Sequence, residues 1–192
     1  VQLLKMADKL KILLKTFAEF NDQELDKILG FFKSKTVKKN DILLYEGTVS
    51  KEFYYIQTGC VRTFFIDKNG REKTRYIMLD NQIGTTLSSF ISQKPSLEFI
   101  EALDDSELLV MGHKDFYHLI EVMDHWKHFY IRILEEAYSF QNRKIGALVT
   151  LTAKQRYEQL LIEKPIFIQR VSNKVLASYL DMREETLSRL KS

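Results

Sequence analysis

Only one cysteine, Cys60, occurs in the 192 residues of this chain. A lone thiol cannot build a disulfide framework within the chain, nor a four-cysteine zinc or iron–sulfur centre, so redox sensing through a cluster is disfavoured and a reducing cytoplasm is the simplest setting. Proline and glycine are also scarce, at 2 and 7 residues, while 45% of the chain is hydrophobic. That balance argues against a disordered chain and for a well-packed core. No stretch reaches the about 18 uncharged apolar residues that a membrane span needs. The opening VQLLKMADKLKILLKTF is punctuated by lysines and reads as an amphipathic helix, not a signal sequence. Neither charge dominates: 29 Lys and Arg face 26 Asp and Glu, a formal charge of +3, so a polyanionic partner would have to meet a local patch. The chain starts at Val1 and stops inside a helical pattern, which leads to the expectation that the natural protein continues at one or both ends.

What is present falls into three stretches. Residues 2–32 read as helical, with Asn21 and Glu24 placed as a capping box ahead of LDKILGFF. From Thr36 the pattern turns to short runs rich in Tyr, Phe, Ile and Val, broken by turn signals at Gly47, Gly59 and the Lys68-Asn69-Gly70 triplet. Antiparallel strands in a barrel or sandwich follow from that spacing, interrupted by SSFISQKP as a short helix or loop, then resumed in SLEFIEALDDSELLVMGH. From Lys114 the pattern is helical again. From Asp124 to about Thr150 a long helical segment follows, in which Trp126, Tyr130, Ile133, Ala137, Phe140, Lys144, Ala147 and Leu151 alternate in steps of four and three, the seam of a coiled coil broken only by Lys144. Packing of this helix on its own barrel is the plainer alternative, but its length favours a partner helix. Pro165 closes the next helix.

The last stretch, VSNKVLASYLDMREETLSRLKS, reads as two helices joined by a short link that forces a sharp angle, a helix-turn-helix. Leu187 and Leu190 point inward in this reading, leaving Glu185, Ser188 and Arg189 outward near the first turns of the second helix, the part that enters a major groove. Arg can fork onto guanine, Glu can accept from cytosine, and Ser can reach a base edge or a phosphate. The plain alternative is an exposed Glu185–Arg189 salt bridge worth about 0.3–0.5 kcal/mol.

Taken together, YYIQTGCVRTFF, the heptad helix, RYEQLL and LASYLDMREETLSRL resemble the Crp/Fnr family of bacterial transcription regulators along essentially the whole chain. The resemblance implies an α+β fold. An N-terminal antiparallel β-roll of jelly-roll type serves as sensor barrel over 1–123, with a dimerisation helix over 124–151 and a helix-turn-helix over 152–192, a winged helix cut short before its wing. It implies that Glu185, Ser188 and Arg189 are the E-x-x-S-R base readers of the Fnr-like branch, suited to half-sites resembling TTGA, with Thr186 toward phosphate; Arg183 and Lys191 are expected to meet phosphate as well. The implied partners are double-stranded DNA, a second copy of the chain across Trp126, Tyr130, Ile133, Ala137, Phe140 and Ala147, RNA polymerase and a small-molecule effector of unknown identity; no membrane is implied. Two residues depart from the family: Asp181 stands where the turn usually has Gly, and Arg183 where the second helix usually has a Ser or Thr cap. A looser turn is expected.

The resemblance also locates an effector cassette, on Gly84, Thr85, Ser88, Ser89 and Ser96. Relatives that bind cyclic AMP carry a Gly-Glu pair for the ribose and an Arg-Ser or Arg-Thr pair for the phosphate. Here Thr85 replaces the acid and KPSLE replaces the Arg pair, leaving Lys94 as a point charge without fork geometry. The four histidines, His113, His118, His125 and His128, lie at or after the end of the barrel, which disfavours haem or metal ligation inside it. Nothing resembles a nucleophile with its base, a phosphate-cradling loop or a metal spacing, so an enzyme is not expected and no cofactor is assigned. The rival expectation is a degenerate barrel that only dimerises or binds proteins. A basic face built by Lys154, Arg156, Arg170, Lys174, Arg183, Arg189 and Lys191 would favour DNA, an apolar patch there the rival.

Overall fold

Asn21 caps its helix as its sequence suggests: its side chain accepts the Glu24 amide while the Glu24 carboxylate accepts the Asn21 amide, at 2.9 and 3.0 Å. The computed structural model describes the backbone of residues 2–191 and the side chains of 8–191. Helices α1 (Gln2–Phe17) and α2 (Asp22–Leu29) lead into strands β1 (Lys33–Val37), β2 (Ile42–Leu44), β3 (Glu52–Thr58), β4 (Cys60–Ile66), β5 (Glu72–Leu79) and β6 (Gln82–Gly84). After the short helix α3 (Leu87–Ser92) come β7 (Phe99–Ala102) and β8 (Ser106–Gly112), then α4 (His113–Val122) and the long α5 (Asp124–Thr150). The chain continues through α6 (Ala153–Glu163), α7 (Pro165–Arg170), α8 (Asn173–Tyr179) and α9 (Glu184–Lys191). Pro165 both ends α6 and occupies the first turn of α7, where its missing amide donor is harmless.

Two four-stranded sheets, ordered β1-β8-β3-β6 and β2-β7-β4-β5, make the expected β-roll. The β1–β8, β3–β8, β3–β6 and β2–β7 pairings are antiparallel, with Tyr54 opposite Val110 and Thr36 opposite Glu107. Gly59 makes the β3–β4 turn at φ +117°, where a Cβ would stand 2.8 Å from the Ser106 backbone, so no larger residue fits this turn unstrained.

The chain resolves into two compact units, Val1–Thr63 with Ile77–Glu135, and Phe64–Tyr76 with Glu136–Ser192. In the first, Leu10, Leu14, Leu25, Ile28, Phe53, Phe116, Trp126 and Phe129 form one core. Its rings meet edge-on or tilted, Phe53 on Phe116 at 4.9 Å and Trp126 on Phe129 at 4.6 Å, while the Trp126 indole donates to the Phe116 carbonyl at 3.1 Å. The second unit buries Phe167, Leu176, Ala177 and Leu187. It includes the outer part of the β4–β5 hairpin.

Candidate functional site

Helix α8 begins at the cap Ser172 and buries Val175, Leu176 and Ala177. Ala177 leaves room for α9, whose Leu187 is fully buried. Between the helices the Met182 amide reaches back to the Ala177 carbonyl at 3.0 Å and the Asp181 amide to Ser178 at 3.3 Å, with Asp181 at φ +51°. This is the bonding of a left-handed helix stop, formed here by an aspartate. The turn is not loose. The Arg156 guanidinium donates to the carbonyls of Leu180 at 2.8 Å, Asp181 at 3.1 Å and Leu151 at 2.8 Å, and Lys73 pairs with the Asp181 carboxylate.

At the start of α9 the Arg183 carbonyl accepts the amides of Thr186 and Leu187, and the Arg183 side chain is exposed. Glu184 and Glu185 lie in the first turn and Arg189 and Lys191 in the last, each suited to the helix dipole. Glu185, Ser188 and Arg189 are all exposed, Thr186 is half-buried, and Arg189 Nε reaches its own helix at the Glu185 carbonyl, 3.3 Å away. Lys191 leans onto Asn173 at 2.6 Å. The basic residues expected to face DNA divide. Arg156 holds the turn and Lys174 pairs with Glu72 at 3.3 Å, so both have structural duties.

Several residues of the dimer seam expected on α5 also make contacts within the chain. Trp126 is fully buried in the first unit, Tyr130 and Ile133 pack against the same core, and Phe140 meets the Tyr76 ring at 5.0 Å in the second. Lys144, the residue that broke the heptad, donates to the carbonyls of Thr74 at 3.0 Å and Arg75 at 2.7 Å. Ala137 and Ala147 are half-buried. Four of the six apolar residues at heptad spacing, Trp126, Tyr130, Ile133 and Phe140, thus pack within the chain. The apolar residues that α5 leaves exposed are Ile131, Tyr138, Ile145, Leu148 and Val149, of which Tyr138 is 70% and Val149 78% accessible. Ile131, Tyr138 and Ile145 recur every seven residues, and Leu148 follows at the alternate position.

A contact the sequence did not signal joins the hairpin to α8. The Ser178 hydroxyl accepts the Thr74 amide at 2.8 Å and donates to the Glu72 carbonyl at 2.8 Å. The polar break at Lys144 was the one available clue.

In the cassette region, the hydroxyls are committed to each other and to the backbone. Thr85 donates to the Glu52 carbonyl at 2.8 Å and so accepts from Ser50, 2.9 Å away. Ser89 donates to the Lys94 carbonyl at 2.6 Å while accepting the Ser50 amide, and Ser96 donates to the Glu98 carbonyl at 2.9 Å while accepting the Glu98 amide. A hydroxyl has one hydrogen, so Thr85, Ser89 and Ser96 keep none for a phosphate. Gly84 lies where a Cβ would come 2.6 Å from the Met78 sulfur, and Ser88 is exposed on α3. Among the described residues no cluster of His, Cys, Asp and Glu could hold a metal, and no helix is long and apolar enough to cross a membrane.

This β-roll defines a class: residues 34–122 match the cyclic nucleotide-binding domain family. The cyclic AMP receptor protein of Thermus thermophilus is 22% identical over 174 residues, which cover 88% of this chain and 79% of that protein. Among solved structures, FixK2 from Bradyrhizobium japonicum superposes with a TM-score of 0.72 at 16% identity, over 83% of this chain and 82% of that one. A regulator assigned to the crp/fnr family from Eubacterium rectale does so with a TM-score of 0.70 at 18% identity, over 89% and 82%. The chain is Crp/Fnr-like: it resembles these proteins along most of its length, and its β-roll carries the cyclic nucleotide-binding match.

Proposed function

We propose that this chain is a homodimeric, sequence-specific DNA-binding transcription regulator of the cytoplasm, with an effector other than cyclic AMP and no enzymatic activity. The observation that carries the proposal is the division of α9, with Leu187 buried and Glu185, Ser188 and Arg189 exposed on a helix whose entry turn is fixed by Arg156. An acceptor, a hydroxyl and a forked donor then leave one exposed face of α9 together, as major-groove reading requires. Two copies joined through Ile131, Tyr138, Ile145 and Leu148 of α5 would present two such helices to a palindrome. RNA polymerase is the further partner that a transcription regulator of this kind implies.

The test is fluorescence anisotropy with the full natural chain on a palindrome of TTGA half-sites and on duplexes substituted at the guanine, at two salt concentrations. Arg189→Ala is expected to weaken binding by about 1–3 kcal/mol per half-site and to flatten the preference at that base pair. Lys191→Ala is expected to weaken all sequences alike and to lower the salt slope by about one. An Arg189→Ala protein that keeps its base preference would reduce the Glu185–Arg189 pair to a surface feature. The exposed Leu161, Ile162 and Ile166 of α6 and α7 favour a second reading, a protein-interaction module, which the same experiment would support by showing no sequence preference at all.

A further inference from the structure

Within the second unit a cleft of about 160 Å³ is lined by the later turns of α5, by α6 and by the end of α8. Phe140, Leu160 and Tyr179 give it an apolar lining, and Arg143, Lys144, Arg156 and Lys164 outnumber its one carboxylate, Glu163. Two of these cations are already engaged. Arg156 holds three carbonyls, and Lys144 holds two and lies 3.8 Å from the Tyr179 ring centre.

The other two are different. Lys164 Nζ stands among the rings of Phe167, Phe140 and Tyr76, at 5.1, 5.2 and 5.9 Å, and has no hydrogen-bond acceptor among the described residues. Ring faces attract an ammonium but replace only part of its hydration. Burial pushes the Lys164 ammonium below the usual lysine range, with Arg143 adding to the effect and Glu163 opposing it. Arg143 is exposed at the same cleft and offers a planar fork suited to carboxylate or phosphate. The group that satisfies both cations is an anion. The apolar lining requires that the anion carry an apolar body, and a volume below the roughly 300–1,000 Å³ of drug-sized sites keeps that body small.

We propose that this cleft binds a small organic anion, a carboxylate or phosphate on a compact apolar or aromatic body, gripped by Lys164 and Arg143 and packed against Phe140, Leu160 and Tyr179. Tyr179 and Leu180 immediately precede the turn into α9, so an occupant would brace the end of α8. The assignment does not depend on DNA reading and is tested on the protein alone.

Titration calorimetry of the full chain with benzoate, phenyl phosphate, inorganic phosphate and benzyl alcohol separates the contributions of charge and body. At least one aromatic anion is expected to saturate one site per chain, about tenfold or more tighter than inorganic phosphate, with no binding of benzyl alcohol. The better of benzoate and phenyl phosphate identifies the acid group. Lys164→Met and Arg143→Gln should each weaken that binding about tenfold or more. Arg143 is exposed, so its variant decides the matter should Lys164→Met fail to fold. The proposal is overturned if neither aromatic anion binds below about 10 mM, if Arg143→Gln binds like the wild type, or if inorganic phosphate or benzyl alcohol binds equally well.

Discussion

Lys144 carries its ammonium into the second unit, onto two carbonyls of the hairpin and the face of Tyr179. Burial, then the charges of Arg75 and Lys164, lower it to about 7 from an ordinary 10.5, with Asp181 pulling weakly the other way. Its folded value lies below its unfolded value, so between about pH 7 and 10.5 the unfolded chain binds the extra proton and stability rises with pH. Lys144→Met should remove that rise. Urea unfolding between about pH 7.5 and 9 should show the wild type gaining up to about 1.4 kcal/mol per pH unit more than the variant. Lys164 adds a slope of the same sign, and its coupling to Lys144 is part of the difference the variant reads. Tyr179, raised by burial, titrates only above this window. An identical slope in the two proteins would mean that Lys144 is solvated and the hairpin contact is open.

At the scale of the element, α5 shows how far periodicity reaches. Its heptads identified a long helix with an apolar seam, and they were right about the helix. The helix has two apolar faces, however, and spacing cannot say which one its own chain covers. Trp126, Tyr130, Ile133 and Phe140 pack internally, whereas Ile131, Tyr138, Ile145 and Leu148 are exposed, and the proposed second copy would meet them there. If that copy binds there, Ile145→Glu places unpaired charge twice in a two-fold interface, a cost of about several kcal/mol. Sedimentation should then show a folded monomer. Ile133→Glu should instead lower the melting temperature, because its side chain packs on the first unit's core. A dimeric Ile145→Glu protein at micromolar concentration would place the interface elsewhere.

At the scale of the whole molecule, the expected effector chemistry follows from the β-roll. By the family resemblance Thr85 takes the place of an acid, and the donors of Thr85, Ser89 and Ser96 are already used inside the protein. Cyclic AMP thus lacks the charge-assisted bonds to ribose and phosphate, each worth about 1.5–3 kcal/mol, and calorimetry should detect no binding near physiological concentrations. Micromolar saturation would show that Lys94 or backbone amides suffice. The Asn21 capping box, the turn at Gly59, the interrupted strands and the polarity of α9 were all legible in the sequence, because caps, turns and amphipathic faces are set by residues close together along the chain. Other features had no local signature: the hydroxyl network joining Ser50 to Thr85, the Ser178 contact with the hairpin, and the commitment of Arg156 to the turn. Each joins residues some 24 to 104 positions apart, and a Ser, Thr or Arg has the same sequence appearance whether its donors meet water, a ligand or a distant carbonyl. Only folding brings the partner within reach, so the sequence by itself determined which elements form and which faces are apolar or polar, while the tertiary structure decided which of those faces and donors remain available for another molecule.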